Sequence, residues 1–175
     1  MDVKSYLYGP LTRFGLIAML VTAVVDQAAK VWLLRVFDLG ARQPVHLGPF
    51  IDLVLAWNTG ISFSLLPHVG PLGQWALLAV KAIAVLLLWI WLARAASRLT
   101  ALALGLIIGG AIGNAIDRFA YGWVFDFVYF HIHTANWQFN WYVFNLADAA
   151  NVVGVIGLLY ESLRGPAPQK RPDRP

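Results

Sequence analysis

Four long apolar blocks dominate this chain, near residues 11–31, 72–93, 99–116 and 141–160. Each approaches the roughly 20 residues that a helix needs to cross about 30 Å of hydrocarbon. Of 175 residues, 59% are apolar and 13% charged, with a mean hydropathy of +0.66. That leaves too little polar surface to coat a water-soluble globule. The expected architecture is a membrane all-α protein: four transmembrane helices with a small extracytoplasmic β-containing element, forming one domain over residues 1–175. The first block runs into Asp26-Gln27-Ala28-Ala29-Lys30 without a small-residue cleavage site, so it is expected to be a retained anchor.

The long connection after the first block is punctuated by Gly40, Pro44, Gly48, Pro49, Gly60 and Pro67 around a run, residues 50–57, that reads as a strand. A tight turn over 94–98 joins the second and third spans, an aromatic-rich segment over 117–140 joins the third and fourth, and the Pro- and charge-rich residues 165–175 are expected to be disordered. Basic residues set the orientation. Lys4, Arg13, Arg94, Arg98, Arg164, Lys170, Arg171 and Arg174 fall on one side, and Lys30, Arg35, Arg42 and Arg118 on the other, with Lys81 inside the second span. Positive-inside then places both termini in the cytoplasm and the two long connections outside. The net charge of +4 is explained by these flanks without nucleic acid, and the absence of cysteine excludes disulfides, thiolate catalysis and cysteine metal sites.

Carboxylates are costly in a bilayer, about 2.5–3.5 kcal/mol at its centre, so each acid near a span needs an explanation. For Asp117 the ordinary one is pairing with Arg118 or another basic group at the interface. Asp126 and Asp148 have no adjacent basic residue and stand among apolar and aromatic neighbours. Facing each other, they would hold one proton between them, the machinery with which a dyad activates water and polarises a scissile carbonyl. Intramembrane acids also serve proton and ion pathways, and spacing alone leaves both readings open.

Five ordered blocks add to this. Residues 26–30 (DQAAK), 58–63 (NTGISF), 109–118 (GGAIGNAIDR), 124–127 (VFDF) and 144–148 (FNLAD) resemble the motifs of the lipoprotein signal peptidases, the signal peptidase II family of intramembrane aspartic peptidases. The resemblance implies an aspartic endopeptidase that removes the signal peptide of diacylglyceryl-modified prolipoproteins by cleaving before the lipidated cysteine. By the same resemblance Asp126 and Asp148 are the catalytic dyad, Asn58, Asn114, Arg118 and Asn145 line the site, and Asp26 and Asp117 hold it together. It further implies no metal or cofactor, a prolipoprotein substrate and membrane lipid as partners, and a monomer in the bacterial cytoplasmic (inner) membrane with its site near the outer face. Ser62 departs from the alanine usual there, and Asn151 stands where an apolar residue is expected; three residues after Asp148, it either hydrogen-bonds into the site or, the commoner use of asparagine in membranes, pairs with another helix.

The remaining features have simpler readings. Gly109, Gly110 and Gly113 suit close helix approach. Trp32, Trp57, Trp75, Trp123, Trp137 and Trp141 fall near outer boundaries and suit an interfacial belt. Lys81 is expected to snorkel or to pair with a buried acid. His131 and His133 could share a cation only if their segment is a strand, and an interfacial loop is the default. Two rival functions remain at this point: a proton-coupled transporter, against which stands the lack of paired halves, and a non-catalytic assembly protein, which leaves two acids without a task.

Overall fold

The structure, a computed structural model, describes residues 7–59 and 71–164; Ser62 and the segment 165–175 lie outside the described residues. In chain order the elements are α1 (Thr12–Arg35), α2 (Leu39–Arg42), β1 (Val45–His46), β2 (Ile51–Asn58), α3 (Pro71–Ala93), α4 (Arg98–Tyr121), β3 (Val124–His133), β4 (Gln138–Asn140) and α5 (Leu146–Arg164). Among the described residues three helices, α1, α4 and α5, are long and apolar enough to cross a membrane; the apolar helix measured within α3 is Leu78–Ala93.

Local chemistry sets where these elements stop. Ser97 is extended and its Oγ accepts from the Thr100 amide at 3.0 Å, a side-chain cap that opens α4 directly after the turn from α3. Gly122, at φ 82°, closes α4 in the left-handed conformation that glycine adopts at little cost, and its N–H donates to the Arg118 carbonyl. Without a breaker at 116, α4 runs five residues beyond the expected limit and takes Asp117 and Arg118 into its last turns, not into the following connection. The fourth helix shows the opposite correction: it begins at Leu146, not at 141. Phe144 is extended instead, held by bonds in both directions with Val128.

Helix α4 is the centre of the bundle and packs most extensively on α1 and α5. Its glycines face different neighbours. A Cβ on Gly109 would lie 2.5 Å from the Met19 carbonyl of α1, one on Gly110 2.5 Å from the Ala147 carbonyl of α5, and one on Gly113 2.7 Å from Asp26 Oδ2. The expected close approach is thus built into one stripe that serves two helices. Leu92, Ala101, Leu104 and Ile108 form the buried apolar cluster where α3 meets α4.

The β element is larger than the single strand expected. Four antiparallel strands in the order β1-β2-β3-β4 form a sheet, and most of the 117–140 connection supplies β3 and β4. Phe125 and Phe127 are buried with Leu33 of α1 and Leu39 of α2, which anchors the sheet on the bundle. The register pairs Ala56 with Asp126 and Asn58 with Val124. With side chains alternating along a strand, Asn58 and Asp126 become diagonal neighbours on one face.

Candidate active site

Asn145, Leu146, Ala147 and Asp148 open α5 with reciprocal bonds. The Asp148 amide donates to Asn145 Oδ1 at 3.0 Å, and the Asn145 amide donates to Asp148 Oδ2 at 3.3 Å. This is a capping box with asparagine and aspartate as its two members, so the bonds that start the helix also orient Asp148. The Asn145 side chain then reaches across to the sheet: its Nδ2 donates to Asp126 Oδ1 at 2.6 Å and to Asn114 Oδ1 at 3.0 Å. One buried asparagine therefore contacts both acids.

Each carboxylate has a second amide donor. Asn58 Nδ2 donates to Asp126 Oδ2 at 3.1 Å, as the strand register requires, and Asn114 Nδ2 donates to Asp148 Oδ1 at 2.9 Å. Asp126 stands on β3, outside the membrane-crossing helices. Burial, with the nearby Asp148 charge adding to it, pushes its carboxyl up to about 6, against the opposing donors Asn58 and Asn145. Arg118 is buried and lies within electrostatic reach of Asp126, Asp148 and Asp117. The six residues expected to react or line the site, Asn58, Asn114, Arg118, Asp126, Asn145 and Asp148, thus come together from β2, α4, β3 and the start of α5.

Behind them lies a layer that the motifs only half disclosed. Lys30, counted above as an outward-facing topological charge, is buried, with its Nζ 2.8 Å from Asp26 Oδ2 and 2.7 Å from Asp117 Oδ2. Of the basic groups expected to hold Asp117, Arg118 or another, it is Lys30 that makes the ion pair. Gln27, likewise unassigned, donates through Nε2 to Asp117 Oδ1 at 2.8 Å and to the Gly113 carbonyl at 3.0 Å. The signal for Lys30 was its spacing: Asp26 and Lys30 are i, i+4 neighbours on one helical face. Asn151 packs against Gly110 of α4, but its Oδ1 is buried without a hydrogen-bond partner among the described residues, so the helices meet there without the polar pairing expected of it.

A cavity of about 320 Å³ opens over Asp126 and Asn58, walled by Trp57, Trp141 and Tyr142. On the other side of Trp141 an apolar cavity of about 290 Å³ follows α5 past Asp148 along Ala149, Val152 and Val153. The acids therefore stand between an aromatic-walled opening beside the sheet, which Asn58 and Asp126 line, and an apolar trough along a helix. The six tryptophans named for an interfacial belt are all exposed. The histidines lie on strand β3 and not in a loop. His131 Nε2 donates to Asp52 Oδ2 at 3.1 Å, and His133 Nε2 donates to Asn140 Oδ1 at 2.8 Å. Lys81 is half-buried beside Trp75 and Phe119 and is within electrostatic reach of Asp148.

Long apolar helices around a buried site with two carboxylates define a class: a multi-pass membrane protein whose polar chemistry is gathered at the junction of helix bundle and sheet. A family model described as signal peptidase (SPase) II matches residues 18–164, and the chain belongs to that family of proteases. A lipoprotein signal peptidase of Nitrobacter hamburgensis is 60% identical over 156 residues, covering 89% of this chain and 95% of the relative. One from Methylorubrum extorquens is 57% identical over 157 residues, covering 90% of this chain and 89% of the relative. A solved bacterial membrane enzyme shares the fold, with a TM-score of 0.68 at 22% identity over 93% of this chain and 94% of its own.

Proposed function

We propose that the chain is an aspartic endopeptidase of lipoprotein maturation, releasing the signal peptide of diacylglyceryl-modified prolipoproteins by cleavage before the lipidated cysteine. The observation that carries the aspartic mechanism is the Asn145 bridge, one buried side chain bonded to Asp126 and, through the capping box, to Asp148. Two acids held close enough for the charge of Asp148 to oppose ionisation of Asp126 hold one proton as a pair. The ionised member takes a proton from water while the protonated member polarises the scissile carbonyl; the proton then passes to the leaving amine. Metal is not required for water activation by such a pair, since the carboxylates themselves supply the base and the acid.

Placement supports the same reading. A signal peptide's apolar region suits the trough along α5, and the bond to be cut then meets the acids beside the sheet. We further infer four membrane spans, with α3 as the fourth, both termini in the cytoplasm, and a monomer in the inner membrane with the site at its outer face. The test is incubation of the purified protein with a lipidated prolipoprotein. The expected result is a mass shift equal to loss of the signal peptide, and an unchanged mass with a correctly folded protein would overturn the assignment.

A further inference from the structure

The two acids of the dyad are each preceded by a residue whose backbone amide is gripped by a different carboxylate. Asp26 Oδ1 accepts from the Ala147 amide at 3.0 Å, immediately before Asp148. Asp117 Oδ2 accepts from the Phe125 amide at 3.3 Å, immediately before Asp126. Both gripping acids are buried, and both are bound by the same ammonium, that of Lys30. The third contact of Lys30 Nζ is Asn114 Oδ1, at 3.1 Å. An ammonium has three protons, and here Asp26, Asp117 and Asn114 accept them. Because Asn114 Oδ1 also accepts from Asn145, its amide nitrogen is left to face Asp148, where it donates at 2.9 Å.

We propose that Lys30 is the positioning residue of the dyad: one buried ammonium ties the clamp on the strand segment before Asp126 to the clamp on the helix start before Asp148, and so sets their separation and orientation. The inference deepens the aspartic mechanism above and rests on it. Without Lys30, two buried carboxylates lose their common counter-charge and repel, and the segments they hold move apart. A displacement of about 1 Å in reacting groups is enough to cost on the order of 100-fold in rate. Lys30 also acts on the dyad as a charge. Among the described residues it is one of three cations near the acids, with Arg118 from α4 and Lys81 from α3, and its field favours the ionised form of Asp126.

The test compares Lys30→Met and Lys30→Arg with the unchanged protein in detergent, using lipidated prolipoprotein. For Lys30→Met, kcat falls about tenfold or more while KM stays within about threefold, because contacts to substrate are intact and geometry at the reacting atoms is not. Its pH–rate profile moves to higher pH by about half a unit or more, since a removed positive charge leaves the Asp126 carboxylate holding its proton more tightly. A structural role alone lowers yield without moving that profile. A folded Lys30→Met protein with the original kcat and profile overturns the proposal. Where Lys30→Met does not accumulate, Lys30→Arg decides: it keeps the charge but, being planar and larger, cannot keep all three contacts. The expected result is an unshifted profile with reduced kcat, and full kcat overturns the proposal. Turnover retained by Asp126→Asn is a different failure, since it removes the dyad reading and leaves the brace observed in the structure without a reaction to serve.

Discussion

Asp126 is caught between burial and a neighbouring acid on one side and two amide donors on the other, and the first pair prevails. Its carboxyl is pushed up to about 6, so the folded protein binds the proton more tightly than the unfolded chain, and the stability gained from it is present at low pH and lost as pH rises through that value. Asp126→Asn removes the charge while keeping size and one of the two accepted hydrogen bonds. The variant is therefore expected to unfold at the same or a higher temperature than the unchanged protein at pH 8, yet to lose at least about 100-fold in turnover, as does Asp148→Asn. With the two acids acting together as proposed, the double variant is expected to be scarcely worse than either single one. Thermal unfolding in detergent and cleavage rates check both halves, and near-normal turnover in either single variant would overturn the dyad. That Asn58, Asn114, Asp126, Asn145 and Asp148 gather in one place was readable from the motifs because they are polar where the surroundings are not. Lys30 and Gln27 were harder: a lysine at a span end is ordinarily a topological charge, and only the packing of α4 against α1 turns it inward.

Elements decide how the acids meet, and the glycine stripe of α4 is where that decision is most exposed to change. Gly110→Val would press its side chain into the Ala147 carbonyl, backbone that cannot yield without moving the helix carrying Asn145 and Asp148. A loss of about 1–3 kcal/mol in stability is expected, with a fall in kcat beyond what the lost folded fraction explains. Gly48→Ala is the control, because a Cβ there meets nothing within 4 Å and should leave both unchanged. The sheet has its own fastening: His46 Nδ1 and His131 Nε2 donate to the two oxygens of Asp52, joining β1, β2 and β3. The hydrogen bond from His46 is the main reason that the Asp52 carboxyl lies below its ordinary value of 3.8. A lowered carboxylate contributes stability that is present above the ordinary value and lost as pH falls through the lowered one. Asp52→Asn should flatten the acid side of the unfolding-temperature profile, and an identical profile would show that the fastening is idle. Strand β2 was legible within one residue from its Gly and Pro borders. Strand β3 was not, because Val124, Phe125, Asp126 and Phe127 are all buried and show no alternation; the run 141–144 misled for a related reason, being apolar enough for a helix yet held extended by Val128.

At the scale of the whole molecule, orientation and substrate have to agree. Lys30 is buried within α1 and Arg118 within α4, so of the four basic residues first counted outside only Arg35 and Arg42 remain as flank charges, and the asymmetry toward the termini grows. A reporter fused after Pro175 should be cytoplasmic and one inserted near Pro44 extracytoplasmic; the reverse would place the acids at the wrong face. With that orientation, depth becomes the means of selection. The acids sit where the sheet meets one end of the bundle, the outward end in the proposed orientation, flanked by exposed Trp57, Trp123 and Trp141, residues whose rings favour the headgroup level. A precursor whose cysteine carries two acyl chains left in the bilayer presents its scissile bond at that level, while an unlipidated precursor is free to ride higher or lower. Holding the bond at the acids replaces a search with a positioned encounter, which favours the lipidated precursor without any direct contact between dyad and lipid. Cleavage of lipidated precursor should exceed that of unlipidated precursor by about 100-fold or more in kcat/KM in proteoliposomes, and shortening the acyl chains should reduce the advantage stepwise, at about 0.8 kcal/mol of anchoring per buried methylene. Equal rates for the two precursors would mean that the peptide alone sets the depth, and selection would then have to lie in the cavity between Trp57 and Trp141.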